Sequence, residues 1–327
     1  MKQIVIVGVD VSKATLDLYI KPLNMAYRVA NNKAGYKQWF KEIAQVLTAD
    51  SKLLVIMEHT GLYSNLFEQF LQSMLVDYCK VPALQIKRSM GVIRGKNDKI
   101  DAERIADYGW MRRDILSADQ IPAIQLTELR QLLSLRAKLV KDRSGYMTRL
   151  KEMKAAGYCD RFQNRIQEQA INFLSKQIDL IEERMKLLIE SNTELKSTCE
   201  LLRSIKGIGW IIATYMISCT DNFKRFSNAR KFNCYAGLAP FKYESGSSIR
   251  GRSRVSHLAN KEAKSLLNLA ASCAIRCDDE MKQYYQKRVS EGKRKMSCLN
   301  IIRSKLVARM FAVVKRQTPY QQRLIAA

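Results

Sequence analysis

Four acidic residues in this chain stand where they could hold a hard metal ion. Asp10 closes the apolar run Val7-Gly8-Val9, and Glu58 closes Val55-Ile56-Met57. Asp98 and Asp101 lie three apart in Asn97-Asp98-Lys99-Ile100-Asp101, a spacing that puts both on one face of a helix. Carboxylates at the ends of neighbouring strands, joined by a helix-borne pair, can converge on one point. An all-oxygen set of this kind suits Mg2+ or Mn2+. Two such ions would stabilise the attacking and leaving oxygens of a phosphodiester displacement. Taken alone, Asp98 reads equally well as a helix cap.

A second chemical segment runs from Gly237 to Arg254 and is rich in Ser, Gly and Arg. Its hydroxyls at Ser245, Ser247 and Ser248 stand beside Arg250, Arg252 and Arg254. Arginine grips phosphate bidentately and would stabilise charge that develops during transfer. A serine attacking phosphorus would conserve bond energy as a phosphoester, so the break could be rejoined. Composition alone favours a flexible basic loop that merely touches phosphate. His257 is the one histidine nearby, and no activating base is evident.

The third motif is Ile205-Lys206-Gly207-Ile208-Gly209, set between the apolar stretches Leu201–Leu202 and Ile211–Ile217. It reads as a helix-hairpin-helix, in which Lys206 and the backbone at Gly207 and Gly209 face a phosphate. The rival reading is a plain turn between two core helices.

Charge supports a polyanionic partner. Lys and Arg number 56 against 31 Asp and Glu, a net charge of +25. Each phosphate neutralised releases counterions, so a surplus of this size favours nucleic acid. No apolar run approaches the roughly 18 residues of a membrane span, and no signal peptide precedes the first strand-like run. A cytoplasmic, nucleoid-associated protein with no membrane partner is expected. The eight cysteines include no CxxC pair and there are only two histidines, so a structural zinc site is not expected.

The elements that must position these groups follow from periodicity. Strands are expected at 3–9, 16–20, 27–30, 53–57 and 76–81, and helices at 34–47, 62–75 and 99–113. Strands followed by strand–helix alternation give a mixed α/β domain over about 1–115. With the four acids in this order on a basic chain, that pattern points to an RNase H-like nuclease. An apolar strand ending in Gly-x-Asp also opens sugar-kinase and actin-like ATPases, but those need phosphate-cradling glycines that are scarce here.

A long antiparallel helical hairpin is expected over 116–198. One helix spans 123–154 and turns at Gly157; the other carries Ile171, Leu174, Ile178, Ile181, Met185 and Leu188 at heptad spacing. Such a coiled-coil arm would join protomers, clamp nucleic acid or pack as an intramolecular bundle. A mostly α region is expected over 199–327, ending in a basic helical segment from Lys282 to Arg316.

Taken in order, five segments resemble the transposases of the insertion-sequence 110/1111 group, which include the Piv-type DNA invertases. They are Gly8 to Lys13, Met57 to Gly61, Asn97 to Ala102, Gly207 to Gly209, and Ala236 to Pro240 through Ser245-Gly246. The resemblance spans nearly the whole chain. It implies a RuvC-like domain whose DEDD acids match Asp10, Glu58, Asp98 and Asp101, and a second domain whose serine before a glycine matches Ser245. It implies a composite site, with the acids of one protomer meeting the serine of another in a homo-dimer or homo-tetramer. The serine would take up the 5′ end of the cut strand. The resemblance further implies double-stranded DNA partners at element ends and target, and an element-encoded bridge RNA as guide.

The expected function is thus metal-dependent strand cleavage and exchange of an insertion sequence through a serine–DNA phosphoester. The alternatives are an invertase sharing every residue above, a RuvC-like junction nuclease using water, and a non-catalytic nucleic-acid-binding regulator.

Overall fold

Strand β1 (Gln3–Val11) is apolar from Ile4 to Val9 because both of its faces are covered there. Val5, Val7 and Val9 pack on one side with Tyr36, Trp39, Phe67 and Leu71. Ile6 packs on the other with Ile56, Ile105 and Tyr108. The structure is a computed structural model. It describes residues 3–48, 50–59, 61–89, 98–119, 123–158, 160–245, 249–256 and 258–321, and not the side chains of Gln3, Asp98, Lys99, Lys242 to Ser245, Ile249, Arg250 and Arg252. Asn97, Thr60, Gly246, Ser247, Ser248 and His257 fall outside the described residues.

The chain divides into two compact units, Met1–Ile121 and Pro122–Ala327. In the first, β1 is the middle of a five-stranded sheet with β2 (Thr15–Lys21), β3 (Met25–Ala30), β4 (Ser51–Glu58) and β5 (Asp77–Val81). The order is β3-β2-β1-β4-β5. β1, β2 and β3 form an antiparallel meander, whereas β4 and β5 run parallel to β1. Helices α1 (Lys33–Ala44) and α2 (Asn65–Ser73) cover the Val5/Val7/Val9 face. Helix α3 (Ala83–Ser89), too short to show in the periodicity, and α4 (Asp98–Met111) contribute to the opposite face. The expected mixed α/β sheet is therefore present.

The second unit is mostly helical, again as expected. Helices α5 (Ile124–Ala155) and α6 (Arg161–Glu190) form an antiparallel pair, with the turn at Gly157 in the left-handed region at φ +77°. Arg136–Glu182 at 2.7 Å and Arg184–Glu128 at 2.8 Å cross between them. Leu126, Leu129 and Leu133 meet Met185, Leu188 and Ile189 in the core. That core continues through α7 (Thr193–Arg203), α8 (Trp210–Cys219) and α9 (Ala229–Tyr235), then α10 (Lys261–Cys277), α11 (Asp279–Ser290) and α12 (Lys295–Arg316).

Two sequence expectations change here. The Ser/Gly/Arg-rich segment is not an irregular loop but contains a two-stranded hairpin, β6 (Pro240–Ser245) and β7 (Ile249–Val255). The basic terminal segment breaks at Gly292 (φ +81°), and not all of its arginines face solvent. Arg309 pairs with Asp278 and Glu280, each at 2.6 Å, and Arg303 is only 4% exposed. No helix among the described residues is long and apolar enough to cross a membrane.

Candidate active site

Asp10 and Glu58 occupy adjacent strand ends. The parallel register pairs Gly8 with Ile56 and Val9 with Met57, so the next residues are Asp10 and Glu58. Side chains alternate along a strand. Asp10 therefore follows Ile6 and Gly8, and Glu58 follows Ile56, onto the face that α4 covers.

Helix α4 runs antiparallel to β1. Near its end Gly109 lies against Ile6 and Ile56, while Ala106 and Ala102 lie against Gly8. A Cβ on Gly8 would come within 2.2 Å of the Ala106 nitrogen and 2.3 Å of the Ala102 oxygen. Only a glycine allows this approach. From Ala102 back to Asp98 is about 6 Å of helix, and from Gly8 on to Asp10 is a similar length of strand. The start of α4 thus comes level with the carboxylate ends of β1 and β4. Acids in a first helical turn also meet the positive end of the helix dipole.

The backbone brings Asp10, Glu58 and the start of α4, which carries Asp98 and Asp101, toward one edge of one face. Asp101 is held by Arg104 at 2.8 Å. Among the described residues no three of His, Cys, Asp or Glu group closely enough to hold a metal ion; the side chain of Asp98 is not among those described. The donor chemistry remains all-oxygen, which fits a hard divalent cation.

Sequence reasoning missed Asn31. Its Nδ2 donates to the carbonyl of Ser12 at 2.7 Å and to that of Tyr63 at 3.1 Å, and its Oδ1 accepts from the buried Tyr36 hydroxyl. Ser12 lies two residues after Asp10, and Tyr63 five after Glu58. One amide therefore ties together the two turns that leave the acid-bearing strands. The visible signal was slight: an Asn-Asn pair at the end of β3, of which Asn32 caps α1.

In the second unit, Ser245 is the last residue of β6 and pairs with Ile249 across the hairpin. Arg250, Arg252 and Arg254 are alternate residues of β7. The hairpin is rooted in the helical core. Gly237 turns at φ +64° with Ala259 close against it, Leu238 is fully buried, and Asn300 donates to the Leu238 carbonyl at 2.8 Å. Arg303 bonds Asn300 and Asn268, and burial pushes its guanidinium pKa down.

Lys206 and Gly209 are exposed ahead of α8, with open space around Gly209. Gly207 has a structural duty, because at φ +93° its α-carbon packs onto α10 beside Ala270 and Ala274. Burial raises the thiols of Cys79, Cys199 and Cys219 to about 11, so they are protonated and poor nucleophiles at neutral pH.

Comparison with known proteins covers both units. Residues 7–153 match the DEDD transposase family of IS110, and residues 199–286 match the transposase IS116/IS110/IS902 family. The chain is 26% identical to the pilin gene-inverting protein of Moraxella bovis, over 97% of this chain and 98% of that protein. It is also 26% identical to the pilin gene-inverting protein of Moraxella lacunata, with the same coverage. An uncharacterised protein of insertion element IS110 from Streptomyces coelicolor is 26% identical over 44% of this chain and 36% of that protein.

Proposed function

The chain belongs to the IS116/IS110/IS902 transposase family, and from that premise we propose that it cleaves and exchanges DNA strands in a metal-dependent reaction. It is a DNA recombinase. The metal-dependent reading is supported by the parallel register that brings Asp10 and Glu58 to adjacent strand ends, and by the packing of α4 against Gly8. Sheet order and strand directions support an RNase H-like, RuvC-like fold for this unit.

Asp10, Glu58, Asp98 and Asp101 would hold Mg2+ or Mn2+, with Asp101 exchanging Arg104 for the cation. When bound, the ion supplies Lewis-acid stabilisation of charge on the phosphate. Ser245 is the proposed nucleophile. Its Oγ bonds to phosphorus as the phosphorus–O3′ bond breaks, leaving the 5′ end on the serine and a free 3′ hydroxyl. Lys206, Gly207, Gly209, Arg250, Arg252 and Arg254 are the proposed DNA-backbone contacts. An element-encoded guide RNA is part of this proposal.

A dimer or tetramer is supported by α6. Ile166, Phe173, Leu180 and Leu187 are exposed at seven-residue intervals, an apolar stripe suited to a second helix. The full-length match to pilin gene-inverting proteins favours inversion as a second outcome of the same chemistry.

Supercoiled plasmid carrying the native DNA ends tests the reading. Asp10→Asn and Glu58→Gln are expected to bind this DNA but not cut it, and Ser245→Ala to form no covalent protein–DNA adduct. Parental recombination by Ser245→Ala would remove the serine step and leave water as the nucleophile. Parental cutting by both acid variants would remove the metal site.

A further inference from the structure

On the face of the first sheet opposite the acids, α1 and α2 enclose a groove of about 600 Å³. One wall is cationic. Lys33, Lys37 and Lys41 stand four residues apart on α1, are exposed, and make no ion pair among the described residues. The other wall is apolar. Leu66 and Phe70 on α2, with Met74 just past its end, repeat the same four-residue step, and Leu66 is 51% and Met74 41% exposed. Phe40 lies between the walls and meets Phe70 edge-on, with ring centroids 6.0 Å apart.

We propose that this groove binds single-stranded nucleic acid. Four residues of helix rise about 6 Å, so the three ammonium groups span about 12 Å in even steps. That step is comparable to the distance between successive phosphates in an extended single strand. A strand is anionic along one edge and presents flat apolar bases along the other, matching the two walls. A duplex buries its base faces and leaves the apolar wall without a partner. An acidic amphipathic helix has related chemistry, but the chain's charge of +25 favours nucleic acid. The strand can be DNA opened during exchange or RNA; both share this chemistry. The proposal uses neither the acids nor Ser245.

The test uses full-length protein and a strand of about 12 nucleotides, made as DNA and as RNA with one 5-iodouracil. Ultraviolet crosslinks are expected within residues 33–44 and 62–75, and equally in Glu58→Gln protein that no longer cuts DNA. In solution, the combined Lys33→Gln, Lys37→Gln and Lys41→Gln variant should bind single strands about tenfold more weakly. Its salt slope should fall by about 2, since each single-strand phosphate contact contributes about 0.7. Leu66→Ser should weaken binding with the slope unchanged, and blunt duplex should bind both variants as it binds the parent.

Whichever of DNA and RNA binds more tightly identifies the strand, and either result upholds the site. Crosslinks confined to other segments overturn it, as does a triple variant with parental affinity and slope. An equal loss of duplex binding overturns it too, as does an acidic amphipathic peptide that occupies the groove while the strands do not.

Discussion

Gly8→Ala is expected to separate stability from chemistry. The new methyl would lie 2.2 Å from the Ala106 nitrogen, 2.3 Å from the Ala102 oxygen and 2.7 Å from the Ala106 α-carbon. All three are backbone atoms, so no rotamer change relieves the clash. Restoring ordinary contact needs α4 to retreat by about 1 Å from β1. Overpacking of this kind costs about 1–3 kcal/mol, which a folded domain survives. The same shift carries Asp98 and Asp101 away from Asp10 and Glu58, and misplacement by about 1 Å costs about a hundredfold in rate. The assay is initial cleavage of supercoiled plasmid at saturating Mg2+, with chemical denaturation run in parallel. Gly109→Ala is the matched control. Its methyl meets Ile56 and Ile6 side-chain atoms at 2.7 and 2.8 Å, far from the acids, and its strain is offset by about 1 kcal/mol of helix propensity. It should cut near the parental rate. The reasoning is refuted if folded Gly8→Ala cuts at the parental rate, or if both variants lose activity in proportion to stability.

Two further substitutions probe the supports of each unit. Asn31→Ala removes donors to Ser12 and Tyr63 and should cost about 1–2 kcal/mol. It should also weaken Mn2+ binding measured by electron paramagnetic resonance; parental affinity would show that the brace does not shape the metal site. Gly207→Ala places a methyl 2.9 Å from the Ala270 oxygen at a left-handed φ of +93° and should destabilise by about 1–3 kcal/mol, whereas Gly209→Ala enters open space and should leave stability within about 0.5 kcal/mol. Equal melting temperatures for these two variants would contradict the packing of Gly207 on α10.

The sheet was legible in the sequence because its central strands are buried on both faces. Burial of that kind demands continuous apolar runs, and Ile4 to Val9 and Leu53 to Met57 supply them. The acids were legible as strand and helix ends, since each interrupts an apolar run or opens a helical one. The role of Gly8 was not, because it is set by α4, which begins 90 residues later. The β6–β7 hairpin was hidden for a different reason. Its strands carry charge at alternate positions and leave little apolar pattern to read, as in Arg250, Arg252 and Arg254. Arg303 and Arg309 looked like surface charge because their partners lie elsewhere in the chain, Asn268 on α10 and Asp278 at the junction of α10 and α11. A local charge count cannot see a partner some 30 residues away.

The relatives constrain where transposition and inversion must part. Both chemistries need the same phosphodiester exchange, so on the proposed mechanism Asp10, Glu58, Asp98, Asp101 and Ser245 would serve either outcome. The outcome depends on which DNA segments are held while strands are cut, and that is decided by contacts away from the reacting atoms. In this chain the exposed basic surfaces proposed for such contacts are the lysine ridge of α1 and Lys206 ahead of α8. Substitutions there should change which DNA is joined while leaving the rate of cutting intact. Substitutions at Asp10, Glu58 or Gly8 should change the rate while leaving the choice of DNA intact.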